Sequence, residues 1–339
     1  MQKRSNILVT GGAGFIGSNY INTFVPENKY NFINLDKLTY AGDLDNIEVA
    51  NAQNYTFVEG DICDKELLKQ LFQKYEFIQV IHFAAESHVD NSITNPAAFI
   101  DTNITGTFNL LHEAYQMWME GPHQLKKEFK DVKFLHVSTD EVYGTLGSTG
   151  LFKETTAYAP NSPYSASKAS SDFLVRSYFH TYAMPVITTN CSNNYGPHQH
   201  DEKLIPTIIR KAIQKEQIPI YGDGQNIRDW LYVYDHCQGI QLAIEKGSFG
   251  ETYNIGGRNE RNNLYIADAI CTLLDELSPR DDEKSYKDQI KFVSDRPGHD
   301  FRYAIDATKI EQELGWTADE NFESGIRKTI EWYLKKYNV

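Results

Sequence analysis

Three groups of residues in this chain have the types and spacing that chemistry needs. The first is Ser138-Thr139-Asp140-Glu141, which follows an apolar run over 133–137 and precedes Gly144. Two adjacent carboxylates beside two hydroxyls can divide acid and base duties if their surroundings give them different pKa values. A polar loop that only caps the next turn would carry the same residue types. The second group is Tyr164 and Lys168 in Ser162-Pro163-Tyr164-Ser165-Ala166-Ser167-Lys168. Pro163 suits the first position of a helix, and residues four apart then share a face. An ammonium beside a phenol lowers the tyrosine pKa from its usual value of about 10 and makes it a workable base. A plain amphipathic helix would accommodate the pair equally well. The third group is Gly11-Gly12-Ala13-Gly14-Phe15-Ile16-Gly17, between the β-rich run Asn6–Thr10 and a helical stretch over 18–25. Strand, glycine turn and helix form a dinucleotide cradle: the glycines admit a pyrophosphate to the backbone, and the helix N-terminus favours its charge. Together the three groups favour chemistry over the structural alternatives.

The elements that must position these groups follow in order. A second strand over 31–35 ends at Asp36, an acid able to accept from adenosine ribose hydroxyls. It would repel a 2′-phosphate, which favours NAD over NADP, although Lys37 follows immediately. A third strand over 55–58 leads to Asp61, which either reaches the adenine amino group or caps the next helix. A fourth over 77–83 continues into Ala84-Ala85-Glu86-Ser87, small enough for a ribose to lie against the backbone. A long helical pattern runs from Asn95-Pro96 to about Trp118, with Phe99, Asn103, Thr107 and Leu110 at helical spacing. Strands over 133–137 and 185–189 come next, the latter followed by Asn190 to Pro197. This alternation predicts an α/β fold: a Rossmann-like, doubly wound parallel sheet.

The second half is less regular. Lys203-Leu204 opens a helix, and Pro219 to Gly222 is a short strand and turn. Arg228-Asp229-Trp230 precedes a strand over 231–233, residues 253–257 form another strand end, and Asp295 to His299 is a late loop before an amphipathic helix over 324–336. These segments supply scattered basic and amide groups rather than a second nucleotide fold. The expected division is 1–191 plus about 229–258 for the nucleotide domain, and about 192–228 plus 259–339 for a second unit. Lys203, Arg228 and Arg296 are the cations placed to meet an anionic substrate, arginine being well suited to phosphate.

Composition sets the outer bounds. The 339 residues are 41% hydrophobic and 23% charged, enough for a sizeable core. A net charge of -13 and a pI near 5.2 argue against nucleic acid or an anionic membrane as partner. No stretch is apolar enough to span a bilayer, and Met1 to Ser5 lacks a signal-peptide pattern. Four scattered cysteines without Cys-x-x-Cys fit a reducing, cytoplasmic setting. His198-Gln199-His200 lacks accompanying ligands at metal-site spacing and reads as a loop, so no metal is expected.

With Gly11 to Gly17, Ser138-Thr139, Tyr164 and Lys168 together, the chain resembles the extended short-chain dehydrogenase/reductase family over essentially its whole length. Ser-Thr-Asp-Glu-Val-Tyr-Gly at 138–144 is similar to the signature of its dTDP-glucose 4,6-dehydratase branch. The segments at 192–197, 202–206, 227–233 and 295–299 match the same branch. The resemblance implies a hydro-lyase that holds NAD throughout turnover, a homodimer built on two helices per subunit, and, as the second unit, a smaller, mainly C-terminal α/β substrate-binding lobe for the sugar nucleotide. The implied reaction takes dTDP-glucose to dTDP-4-keto-6-deoxyglucose, a step of nucleotide-sugar metabolism that commonly feeds dTDP-rhamnose biosynthesis.

The resemblance also implies roles for residues. Tyr164 takes the C4 hydroxyl proton as hydride leaves C4, Lys168 holds the ribose and lowers the tyrosine pKa, and Thr139 bonds the C4 oxygen. The ketone acidifies C5, Glu141 removes the C5 proton, Asp140 protonates the leaving C6 hydroxyl, and hydride returns to C6. For the cofactor it implies Gly11, Gly14, Phe15, Ile16 and Gly17; then Asp36, Lys37, Leu38 and Thr39; Asp61 and Ile62; Phe83, Ala84, Ala85 and Ser87; and Thr102, Tyr164, Lys168 and Asn194. For the sugar nucleotide it implies Ser87, Thr139, Asn193, Lys203 and Leu204, with Pro219, Tyr221, Arg228, Asn263, Asp295, Arg296 and His299 from the lobe. Adjacent strand residues face opposite ways, so Asp140 and Glu141 can share a sugar only if the backbone turns before Gly144. Three rivals share the scaffold: a sugar-nucleotide 4-epimerase, which needs no acid/base pair for C5 and C6; a 4,6-dehydratase for GDP-mannose or another sugar nucleotide; and a non-catalytic NAD-binding regulator.

Overall fold

The computed structural model describes residues 4–295 and 300–339. Its centre is a seven-stranded parallel sheet of Asn6–Thr10 (β1), Asn31–Asp36 (β2), Tyr55–Glu59 (β3), Gln79–His82 (β4), Lys133–Thr139 (β5), Val186–Cys191 (β6) and Thr252–Ile255 (β7), in the order β7-β6-β5-β4-β1-β2-β3. Register aligns alternate residues across it. Val9, Ile81, Leu135 and Ile187 are successive neighbours on one face, and Leu8, Val80, Phe134 and Val186 on the other. The first face packs against Phe15–Phe24 (α1), and the second against Lys65–Tyr75 (α2), Thr107–Trp118 (α3) and Pro163–Tyr182 (α4). A parallel sheet covered on both faces must be apolar on both, which is why its strands read as near-continuous apolar runs.

A third core lies in the C-terminal part of the chain. Ile205, Ile208 and Ile209 of Leu204–Ile213 (α5) meet Ile266 and Ile270 of Asn263–Leu277 (α7) and Ile326 and Ile330 of Phe322–Tyr337 (α8). Between α5 and α7, Val233–Lys246 (α6) returns to the first face of the main sheet through Ile240, Ala243 and Ile244. Ala307, Ile310, Leu314 and Trp316 pack in that same core. No helix among the described residues is long and apolar enough to cross a membrane.

Two expected elements differ in detail. The helical pattern over 96–118 is interrupted: Pro96–Phe99 is followed by a π-helical turn, Ile100–Gly106, before α3 begins. Asn103 lies in that turn, and its amide accepts from Glu86 N–H at 2.9 Å and donates to Glu86 C=O at 3.0 Å and Ser167 Oγ at 2.8 Å. The widened turn thus ties the loop after β4 to α4, in keeping with the usual siting of π-turns near function. The strand expected over 231–233 is Ile227–Tyr232 instead, and Val233 already opens α6. That strand pairs with Asn193–Tyr195 and Glu260–Asn262 in a separate three-stranded sheet.

Candidate active site

The strand order reverses between β1 and β4, so their carboxyl ends diverge and leave a crevice. Gly11 fills its floor with φ +73°, and a β-carbon there would lie 2.6 Å from Ala84 N and 2.7 Å from Ala84 Cα. Only glycine lets the turn after β1 and the Ala84-Ala85 segment approach this closely. Gly14 is the N-cap of α1 with no side-chain cap, and the first turn of α1 carries no acid. The helix N-terminus is therefore open to an anion. At the end of β2, the Asp36 carboxylate accepts from Ala13 N–H and Leu38 N–H, both at 2.9 Å. Two accepted bonds orient it while leaving lone pairs for ribose hydroxyls. Lys37 turns toward Asp61, 3.4 Å away. Burial would raise the Asp61 carboxyl, but the Cys63 N–H and the Lys37 ammonium outweigh it and hold the group below its ordinary value. Asp61 does not cap α2; Asp64 does, accepting from Glu66 and Leu67 N–H.

The chemistry-bearing groups meet at the far end of the same crevice. After β5 the backbone turns through a 3₁₀ segment, Asp140–Tyr143. Gly144 ends it at φ +91°, where a β-carbon would sit 2.5 Å from Ala159 C=O. This turn breaks the strand alternation, and Asp140 and Glu141 line one cleft together with Thr139, Tyr164 and Lys168. Tyr143 OH donates to Asn254 Oδ1 of β7 at 2.9 Å and anchors the turn.

Asp140 is buried, and its Oδ2 has no hydrogen-bond partner among the described residues. Burial first, then the charges of Glu141 and Asp229, push its carboxyl well above the ordinary range; Arg228 and a bond from Thr139 oppose this only in part. An unpaired buried carboxyl oxygen is best accommodated by protonation. Two neighbouring carboxyl groups thus sit in unlike environments, since Glu141 is only half-buried.

The Tyr164–Lys168 pair requires a correction. Sequence spacing gives a tyrosine whose pKa falls beside the ammonium. In the structure Lys168 Nζ donates to Val137 C=O at 2.8 Å, and burial lowers its own pKa. Burial, Glu141 and Cys191 instead push the Tyr164 phenol well above its ordinary value, with only a Thr139 hydrogen bond working the other way. Desolvation and the Glu141 charge outweigh a cation whose ammonium is engaged with a carbonyl.

Most of the residues expected to hold the dinucleotide line this cleft: Gly11, Gly14, Phe15, Ile16 and Gly17; Asp36, Lys37 and Thr39; Asp61, Ile62, Phe83, Ala84, Ala85, Ser87, Thr102 and Asn194. Leu38 acts through its backbone on Asp36 instead. Of the substrate set, Ser87, Thr139, Asn193 and Lys203 are on the wall, with Lys203 Nζ donating to Ser87 C=O at 3.1 Å. Leu204, Pro219, Tyr221, Arg228, Asn263 and Asp295 are not among the described residues lining it. Tyr221 and Asp295 flank the Gly222 turn. Arg228 is buried and donates to the carbonyls of Ile227 at 2.7 Å and Asp300 at 2.9 Å, with its guanidinium 4.3 Å from the Tyr303 ring centre. Arg296 and His299 lie outside the described residues. Sequence reading missed Glu86, Gln199, His200 and Glu202 on the wall, since loop residues of this kind carry no periodic signal.

The match to known proteins covers the same length as the fold. The family model for GDP-mannose 4,6 dehydratase matches residues 8–329. A dTDP-glucose 4,6-dehydratase of Xanthomonas campestris pv. campestris (strain B100) is 55% identical over 328 residues, covering 96% of this chain and 92% of that protein. Among solved structures, a dTDP-glucose 4,6-dehydratase from Bacillus anthracis in complex with NAD superposes with a TM-score of 0.85 at 45% identity, covering 98% of both chains. One from Streptomyces venezuelae with NAD and dTDP bound gives 0.88 at 40% identity, again over 98% of both. The chain therefore belongs to the GDP-mannose 4,6 dehydratase family and, within it, to the dTDP-glucose 4,6-dehydratases.

Proposed function

We propose that this chain dehydrates dTDP-glucose to dTDP-4-keto-6-deoxyglucose, using an NAD that stays bound. One observation carries the chemistry: a buried carboxyl with an unpartnered oxygen, Asp140, beside a more exposed one, Glu141, in one cleft with Tyr164 and Lys168, so that burial favours the protonated form of Asp140. An epimerase has no use for that carboxyl pair. The glycine turn, the uncapped N-terminus of α1 and the Asp36 carboxylate fit a dinucleotide with an unphosphorylated ribose, and with Lys37 drawn to Asp61 the preference is for NAD. When bound, NAD supplies a hydride acceptor at C4 and a hydride donor at C6.

The residues do the rest. Tyr164, as its phenolate, accepts the C4 hydroxyl proton as hydride leaves C4, and Thr139 bonds the same oxygen. Lys168 holds the ribose and keeps a positive charge beneath the site. The new ketone acidifies C5, and Glu141 takes the C5 proton. Asp140 gives its proton to the C6 hydroxyl, which departs as water. Once C6 is reduced, Glu141 gives a proton back to C5, and the proton on Tyr164 offsets the one Asp140 gave up. Phosphate and base of the nucleotide fall to Lys203 and to the lobe residues Arg228, Tyr221, Asn263 and Asp295, with Arg296 and His299.

Substrate choice is tested by giving the purified protein, without added cofactor, an equimolar mixture of dTDP-glucose, UDP-glucose and GDP-mannose. The dTDP sugar should be consumed first, to a product lighter by one water. A product of unchanged mass would point to epimerisation, and no change in any sugar to a binding protein.

The cradle gives a second expectation. Gly11→Ala places a methyl against Ala84 backbone at a φ unfavourable to alanine, so retained NAD should fall on the order of tenfold, read from the absorbance of extracted cofactor. A homodimer is proposed on the exposed Ile100, Phe108 and Phe173, the last two on α3 and α4. Phe108→Glu with Phe173→Glu should give a monomer by light scattering; an unchanged dimer would place the interface elsewhere. The proposed setting is the cytoplasm, where four unbridged cysteines suit a reducing compartment.

A further inference from the structure

One buried group beside the site has no part in the steps above. Asp172 lies one turn after Lys168 on α4, and both are almost fully buried. Its Oδ2 accepts from Ser138 Oγ at 2.9 Å and Tyr158 OH at 3.0 Å, and its Oδ1 lies 3.1 Å from His136 Nε2. Ser138 and His136 belong to β5, the strand that delivers Thr139, Asp140 and Glu141. Burial and the nearby Lys168 keep His136 from taking a second proton, so its contact with Asp172 is a hydrogen bond from a neutral ring, not an ion pair. Its Nδ1 then carries no proton, in keeping with the lack of a partner for that atom among the described residues. Behind it the His82 ring, 5.3 Å from that of His136, is fixed by Thr10 Oγ1 at 2.7 Å and Thr107 Oγ1 at 2.9 Å.

We propose that Asp172 is a positioning residue: it locks the helix carrying Tyr164 and Lys168 in register with the strand carrying Thr139, Asp140 and Glu141, and it supplies the negative charge that keeps Lys168 an ammonium. The inference rests on the roles proposed for those five residues. The geometry suits both parts. A carboxylate on α4 that takes two donors from β5 and a third from the loop at Tyr158 fixes the offset of helix and strand, and placement one helical turn from Lys168 puts opposite charges on one face. Burial pushes the Asp172 carboxyl up to about 7, against the pull of Lys168, Ser138 and Tyr158. Its charge therefore develops as pH rises above neutrality, where a buried lysine would otherwise shed its proton. The other titratable groups facing this pair are His82 and His136 beneath it, Cys191 of β6, and Tyr143 and Tyr158, with Tyr164 on the same helix. The two histidines are held neutral by burial, and the thiol is pushed up to about 12, so Asp172 is the acid here that charges near pH 7.

Asp172→Asn keeps the shape and removes the charge. For the folded holoenzyme, with bound NAD retained, kcat for dTDP-glucose should fall at least about tenfold while KM stays within about twofold. Asp140 also titrates, so the pH test is made in an Asp140→Asn background by following solvent deuterium into C5 of recovered substrate. Adding Asp172→Asn should move the alkaline limb of that exchange down by about one pH unit or more, and Asp172→Glu should restore it in part. Unchanged kcat and an unmoved limb would overturn the role. If Asp172→Asn does not fold, Tyr158→Phe decides: it removes one of the three bonds and should lower kcat severalfold, whereas wild-type kcat would overturn the proposal. Failure of the unaltered enzyme to convert dTDP-glucose would overturn the dehydratase reading, and this role with it. Conversion by the unaltered enzyme alongside a fully active Asp172→Asn would overturn the role alone.

Discussion

Glu141→Gln is expected to abolish exchange of the C5 hydrogen with solvent and to lower kcat by roughly 100- to 10,000-fold, the usual worth of a positioned general base. Glutamine keeps the size and hydrogen-bonding reach of the side chain but cannot take a proton. Glu141 stands at the start of the 3₁₀ turn, half-buried on the cleft wall beside Asp140. The partner experiment is Asp140→Asn. Asp140 is placed to give a proton, since burial and the charges of Glu141 and Asp229 hold its carboxyl up. Its asparagine variant should still exchange C5 while failing to release water. Proton NMR of recovered substrate in deuterated water separates the two: exchange lost in Glu141→Gln and kept in Asp140→Asn. The reverse pattern would exchange the roles, and exchange surviving in both would place the base elsewhere.

Tyr164→Phe should stop the sequence earlier. Without the phenol nothing takes the C4 hydroxyl proton, so kcat should again fall roughly 100- to 10,000-fold, with C5 exchange lost as well because the ketone never forms. A phenylalanine variant that still exchanged C5 would remove Tyr164 from the oxidation. The electrostatics add a sign. Tyr164 must lose a proton to act, and burial, Glu141 and Cys191 hold that proton on. C4 oxidation should therefore slow as pH falls. Removing the Glu141 charge relieves one of the groups opposing the phenolate, so the acid limb for C4 oxidation should move to lower pH in Glu141→Gln. A limb that moved upward would mean that Glu141 does not face the phenol in the working enzyme.

The order in which the site could be read from sequence follows from how local each signal is. The glycine turn, Asp36 and the Tyr164–Lys168 pair are each written within a few residues of one strand or helix, where period and capping fix geometry. The run from Ser138 to Gly144 was legible for the same reason, including the need for a turn that would bring two adjacent acids to one cleft. What sequence could not give was the sum of environments around a side chain. Lys168 is four residues from Tyr164, yet its ammonium is directed at Val137 C=O, and burial with Glu141 decides the phenol. The helix over 96–118 has unbroken helical spacing, and only the contacts of Asn103 with Glu86 and Ser167 show why its first half widens. Asp172 stands four residues past Lys168 on the same helix. Its importance shows only when β5 brings His136 and Ser138 to it.

In the proposed reaction, hydride leaves C4 of a sugar and returns to C6 of the same sugar on a cofactor that never dissociates. The direct test is dTDP-glucose carrying deuterium at C4, incubated in ordinary water with the purified protein and no added cofactor. Mass spectrometry and NMR then locate the label. A 4-keto-6-deoxy product with the deuterium at C6 is the predicted result. Label retained at C4, or lost to solvent or to an added pool of unlabelled NAD, would contradict the account.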